Sequence, residues 1–226
     1  SATDSGLTSE ERSPGGAPRN AVRTTRRITF MLRVLGRSST AITTRGRKGM
    51  PSPATTAATV TQGQISCGRE PHDKREMLRH LLRDAKDLKN AIIFCNRKRD
   101  VAIVYKSLQK HGFAVCALHG DMDQSARMAA LDQFRKGELP LLVASDVAAR
   151  GLDIPEVSHV FNFDVPHHPD DYVHRIGRTG RAGRTGTAIT IVCPADFKSL
   201  AAIEKLTGQA IPKTDLPGYE APADGV

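Results

Sequence analysis

The chain has 226 residues, with 33 Lys plus Arg against 24 Asp plus Glu and a formal charge of +9. Hydrophobic residues make up 39% and charged residues 25%, which fits a globular protein with a core and excludes a wholly disordered one. Aromatics are only 4% with no Trp, against a surface of stacked aromatics, and no apolar run approaches the ~20 residues that cross a bilayer.

The charge is uneven. Residues 1–60 hold ten basic and three acidic side chains, a net of +7, and the remaining residues are nearly neutral at +2. No Asp or Glu occurs between Glu11 and Glu70. The segment is rich in Ser, Thr, Gly, Pro and Arg and shows no sustained period beyond the short apolar patch Ile28–Leu35. Too little apolar surface is present to offset the entropy of ordering, so residues 1–60 read as a disordered, basic, low-complexity segment. Three readings of it stay open. It is a basic arm that adds phosphate affinity, or a transit peptide, although the chain starts at Ser1, or a solvated or degenerate stretch.

From residue 73 the pattern becomes regular. Asp73 caps a helix with apolar positions Met77, Leu78, Leu81, Leu82, Ala85 and Leu88. Ala91–Cys95 is a continuous apolar run and predicts a buried strand. A helix from about Lys98 to His111, stopped by Gly112, leads to a strand over Phe113–Leu118. Asp123 caps a helix carrying Met128, Leu131 and Phe134, stopped by Gly137. Strands follow over Leu139–Ala144 and Val157–Phe163, a helix over Pro169–Ile176, a strand over Thr187–Cys193 and a helix over Ala195–Leu206.

Strands alternate with helices, and the strands are apolar throughout. That combination predicts an α/β fold with a doubly wound, mostly parallel sheet and helices on both faces. The domain is expected over 61–212, with a flexible tail over 213–226. Ligands of such folds sit at the carboxyl ends of the strands. The loops there carry Asn96 to Arg99, His119-Gly120-Asp121, Ser145-Asp146 with Ala149 to Asp153, and the run Arg175–Gly186.

Cys67, Cys95, Cys116 and Cys193 are widely spaced with no CxxC pair, so they are expected to be reduced core residues. That expectation points to a reducing, cytoplasmic compartment. The eight His show no metal-ligand spacing, and no metal site is expected.

His174-Arg175-Ile176-Gly177-Arg178-Thr179-Gly180-Arg181-Ala182-Gly183-Arg184 repeats Arg every three residues. Arg175 and Arg178 would share a helical face until the glycines break the helix. Guanidinium forks onto phosphate oxygens, and Gly lets backbone approach a polyanion, so the run predicts an arginine cluster facing phosphate.

Tyr172 to Arg181 resembles motif VI of the DEAD-box ATP-dependent RNA helicases. Related helicase classes usually begin that motif with Gln, so His174 favours the DEAD-box branch. Ser145 to Pro155 resembles motif V, with Ser145 where Thr is usual. Val160–Pro166, with Asn162 and Asp164, matches the stretch that follows. Ala91–Asn96 resembles motif IV, with Arg97 where Thr is common. Leu118 to Met122, with Gln124 and Arg127, resembles motif IVa. The likeness covers residues 57–212 in order, and it is that of the second RecA-like domain of a bacterial-type member.

The resemblance implies an ATP- and RNA-binding domain that closes with a first RecA-like domain around both ligands. It marks Arg178 and Arg181 as arginine fingers on ATP, with Gly151 and Asp153 lining the nucleotide pocket. Asp146, Arg150, His174 and Arg175 would couple the nucleotide to the first domain. Arg97, Gly120, Arg127 and Ser145 would face RNA. ATP with Mg²⁺ is the implied cofactor, and no membrane partner is implied.

No Gly-Lys pair and no Asp-Glu pair occurs in the chain, so the phosphate loop and the acidic Mg²⁺ motif of the first domain are absent. Ser1-Ala2-Thr3 matches the tripeptide that normally ends that domain. The expectation is a truncated helicase, inactive without its other half. A second reading is a non-enzymatic RNA-binding module that uses the basic arm and the RNA-facing loops.

Overall fold

A computed structural model describes residues 39–41, 59–67, 71–85, 87–181 and 184–214. In chain order these form β1 (Ser39–Ala41), β2 (Thr59–Ser66), α1 (Pro71–Asp84), β3 (Ala91–Cys95), α2 (Lys98–Lys110), β4 (Val115–Leu118) and α3 (Gln124–Lys136). Then come β5 (Leu141–Ser145), α4 (Asp146–Ala149), β6 (His159–Asn162), α5 (Pro169–Ile176), β7 (Thr185–Val192), a 3-10 turn (Pro194–Asp196) and α6 (Phe197–Thr207).

The apolar strands pair side by side. The sheet order is β1-β2-β7-β6-β3-β5-β4, with six parallel strands and β1 antiparallel at one edge. Successive strand residues point to opposite faces. Ile92 and Phe94 therefore join Leu131 and Phe134 of α3, Tyr172 and Ile176 of α5, and Leu200 and Ile203 of α6 on one face. Ile93 and Cys95 join Met77, Leu78 and Leu81 of α1 and Val101, Val104 and Leu108 of α2 on the other. Burial on both faces is why β3 is apolar at every position, whereas β6 and β7 also bury the polar side chains of His159, Asn162 and Thr190. The helix stops match their expected chemistry: Asp123 accepts a 2.7 Å bond from the Ala126 N–H, and Gly137 takes the left-handed conformation at φ 76°.

Three features depart from expectation. β2 does not announce itself, because Thr59–Ser66 is polar and carries Gly63. It forms because β7 pairs with it over eight residues and because Gln62 and Gln64 find internal partners: Tyr172 Oη donates to Gln62 Oε1 at 2.8 Å, and Gln64 Nε2 donates to the Ile211 carbonyl at 2.6 Å. β1 lies within the segment expected to be unstructured and pairs with β2 through Ser39–Thr61 and Ala41–Thr59. The rest of that expectation, up to residue 58, and the tail from residue 215 lie outside the described residues.

The third departure is chemical. Cys67 and Cys193 are joined by a disulfide across the ends of β2 and β7, which corrects the expectation that all four cysteines are reduced. Spacing along the chain hid the pair, since 126 residues separate two positions that parallel pairing makes neighbours. A crosslink closing so long a loop stabilises the fold by about 2–4 kcal/mol, mainly by restricting the unfolded chain. Cys95 and Cys116 are free and buried, and burial raises both thiol pKa values, that of Cys116 to about 12. Among the described residues, no helix is long and apolar enough to cross a membrane.

Candidate functional site

The polar and basic loops gather at the carboxyl ends of the strands, as the parallel sheet requires. One cavity there, of about 240 Å³, is lined by Phe94, Asp146, Ala149, Arg150, Gly151, Asp171, His174, Arg175 and Arg178. It unites six of the marked residues: Asp146, Arg150, Gly151, His174, Arg175 and Arg178. Gly151 holds φ +71° on the rim, a conformation that disfavours side chains.

Arg175 stands at the centre and is 1% exposed. Its Nε and Nη2 grip both carboxylate oxygens of Asp146 at 2.7 and 2.6 Å. Nη2 also donates to Asn96 Oδ1 at 2.7 Å, and Nη1 to the Asp164 carbonyl at 2.7 Å. The guanidinium lies 5.3 Å from the centre of the Phe94 ring. A bidentate, fully bonded Arg–carboxylate pair is the geometry that allows a buried charge. Arg175 therefore binds β3, α4, α5 and the loop after β6 to one another, and its own side chain is closed to a partner domain. Asn96 and Asp164 complete this hub, and Lys74 extends it with bonds of 3.1 Å to Asp164 and 3.4 Å to Asp196.

Arg178 has a different setting. The helix ends at Ile176, so Arg175 and Arg178 do not share a helical face. Arg178 lies past Gly177, and its guanidinium makes no hydrogen bond or ion pair among the described residues. Burial, and then the neighbouring Arg181 charge, push its pKa below the ordinary arginine value. Arg181 is exposed, and its Nε donates to the Gly177 carbonyl at 2.6 Å. The nearby acids are engaged elsewhere: Asp146 on Arg175, and Asp171 on Arg150 at 2.5 Å. Two adjacent guanidiniums without an acid of their own are suited to an anion.

The remaining marked residues are more scattered. The Asp153 carboxylate is fully exposed and 3.6 Å from Arg135, outside the cavity lining. Arg97 and Gly120 are exposed at the ends of β3 and β4. Arg127 reaches from α3 to the Ala148 carbonyl at 3.1 Å, and its buried Nε has no partner. The Ser145 hydroxyl is buried and accepts from the Ala148 N–H at 3.4 Å, capping α4. A larger cavity, about 330 Å³, lies between the starts of α1 and α2 and contains none of the marked residues. Its three basic side chains, Lys74, Arg75 and Arg99, stand against three acids, Asp100, Asp164 and Asp196, whereas the smaller cavity sets three arginines against two acids. Among the described residues, no group of three His, Cys, Asp or Glu side chains could hold a metal ion.

Residues 73–183 match the family model for the helicase conserved C-terminal domain. The solved structure of the E. coli DEAD-box protein SrmB, bound to regulator of ribonuclease activity A, is 38% identical with a TM-score of 0.66, and the alignment covers 72% of this chain and 97% of that one. The chain belongs to the DEAD-box helicase family. Its described domain is the C-terminal helicase domain of that family, with the RecA-like architecture expected. The DEAD-box ATP-dependent RNA helicase CshA of Bacillus subtilis is 45% identical over 135 residues, which is 60% of this chain and 27% of CshA. The chain thus spans about a quarter of that DEAD-box relative. S. cerevisiae Dbp5, solved with RNA and ADP BeF3, is 37% identical with a TM-score of 0.61 over 69% of this chain and 41% of Dbp5.

The sequence named Asn96 and Asp164 without a role, and it missed Lys74, bound to Asp164, and Asp171 beside Arg150. The one signal for Asp171 was its place one turn before Arg175 on the same short helix.

Proposed function

We propose that this domain supplies the arginine half of an ATP site and one wall of an RNA cleft, and that it works only against a first RecA-like domain. The observation that carries the reading is the pair Arg178 and Arg181, which stand next to each other and whose guanidiniums have no acid partner among the described residues. Guanidiniums so placed neutralise charge that develops on a transferring phosphoryl group, an effect worth ~10³ to 10⁵ in rate. Gly151 and Asp153 would face the nucleotide. His174 and Arg150, both exposed, would meet the first domain. Arg175 and Asp146 would act on that coupling from beneath, by fixing the loops that carry them.

Arg97, Gly120 and Ser145 stand at the ends of β3, β4 and β5, and with Arg127 of α3 they would contact the sugar-phosphate backbone, which favours binding by shape and charge over base readout. The Dbp5 complex with RNA and ADP BeF3 supports both ligands at the family level. Mg²⁺ would accompany ATP and neutralise phosphate charge. The acids of this cavity are engaged by arginines, so its ligands would belong to the first domain.

The test is RNA-stimulated ATP hydrolysis with and without a first RecA-like domain supplied in trans. The expected result is background hydrolysis by the chain alone and stimulated hydrolysis by the pair. Robust RNA-stimulated hydrolysis by the chain alone would overturn the reading.

A further inference from the structure

The loop that carries Arg178 and Arg181 is gripped by three successive residues ahead of β6. The Val157 N–H donates to the Arg178 carbonyl at 3.1 Å. The Thr179 hydroxyl donates to the carbonyls of Val157 and Ser158. The third grip comes from a side chain. Glu156 Oε1 accepts the backbone N–H of Arg181 at 2.7 Å, and Oε2 lies 3.5 Å from Arg184 Nη1.

Two of these grips use backbone atoms of 157 and 158, so they persist whatever side chains stand there. The Glu156 grip depends on its side chain alone. Its carboxylate is 21% exposed, and it binds neither the Arg178 nor the Arg181 guanidinium. It holds the residue that bears a finger by its main chain while leaving that finger's charge for a ligand. Bonds of a carboxylate to a backbone N–H are short and about twice as strong as neutral ones, which fixes the residue more firmly than a loop contact does. The Arg181 guanidinium adds an internal bond to Gly177, so fixing its main chain also fixes the arc through which the guanidinium swings. Positioning within a fraction of an ångström decides how well such a group meets an anion.

We infer that Glu156 is a positioning residue, which sets Arg181 for a phosphate-bearing ligand through the backbone of Arg181. This rests on the reading of Arg178 and Arg181 as phosphate ligands. Gln at 156 can still accept from the Arg181 N–H, whereas Ala cannot.

The experiment uses the full chain, with inorganic pyrophosphate as the probe. NMR follows the Arg178 and Arg181 Nε–H signals and the Arg181 backbone amide. In the unliganded protein, Glu156→Ala should move the Arg181 amide upfield, and Glu156→Gln should move it less. Pyrophosphate affinity, read at both Nε–H signals, should fall about tenfold in Glu156→Ala and stay within about threefold in Glu156→Gln. Thermal midpoints should agree within a few degrees, which separates positioning from unfolding. Unchanged affinity in Glu156→Ala, or an equal fall in both variants, would overturn the inference. If pyrophosphate moves neither guanidinium in the unaltered chain, the inference falls with the phosphate reading. The amide shift then shows which part failed, since an upfield move of the Arg181 amide in Glu156→Ala would leave the grip on Arg181 standing.

Discussion

Arg175 and Arg178 stand three residues apart in one motif and meet opposite fates. Arg175 is sealed in the domain with every arm of its guanidinium bonded, whereas Arg178 is half-buried and its guanidinium has no partner among the described residues. The helix end between them causes the difference: α5 carries Arg175 inward, and Gly177 turns the chain so that Arg178 emerges at the cavity. The same residue type serves as a structural clamp in one place and, in the other, is left free to meet an anion. What distinguishes them is whether acids have been placed around them.

Three substitutions probe that division, from the largest effect to the smallest. Arg175→Ala leaves Asp146 without its partner in a largely buried setting and should cost about 3–5 kcal/mol. For a domain of this size the thermal midpoint should fall by roughly 10 °C. A midpoint within two or three degrees of the parent would mean that Arg175 is no clamp. Gly186→Ala should come next. Gly186 is buried, and a Cβ there would meet the Thr179 hydroxyl and stand 2.5 Å from the Gly180 N. The backbone of the loop that carries Arg178 would have to shift, at about 1–3 kcal/mol, and the Arg178 Nε–H signal should move with it. An unmoved signal in a folded variant would show that the loop does not fix Arg178. Arg178→Ala should change stability by less than about 0.5 kcal/mol, read from thermal unfolding, because it removes no bond among the described residues. A substantial fall in stability would give Arg178 the structural role assigned here to Arg175.

The fold was largely legible because its strands are buried on both faces. Ala91–Cys95 is apolar at every position and Leu141–Ser145 at all but its last, and Asp123, Gly137 and Gly177 mark helix ends by local chemistry. β2 was illegible for the converse reason: its polar residues Gln62 and Gln64 are hydrogen-bonded to Tyr172 and Ile211, more than a hundred residues away. The Cys67–Cys193 bond depends in the same way on strand order, which no spacing along the chain displays.

At the site, the arginines were visible, and the resemblance set Arg175 apart as a coupling residue from Arg178 and Arg181, which it marked for ATP; the burial of Arg175 was not visible. Only the packing shows that Asn96, Asp146 and Asp164 converge on Arg175 and leave the other two. Glu156 was invisible, because its partner is a backbone N–H and its function lies in geometry.

The central claim is that Arg178 acts on phosphate and not on the fold. Its most direct test is the RNA-stimulated ATP turnover of Arg178→Ala, paired with a first RecA-like domain, against the unaltered chain in the same pairing. Turnover should fall by about 10³-fold or more with RNA affinity retained. Turnover equal to that of the unaltered chain would contradict the claim.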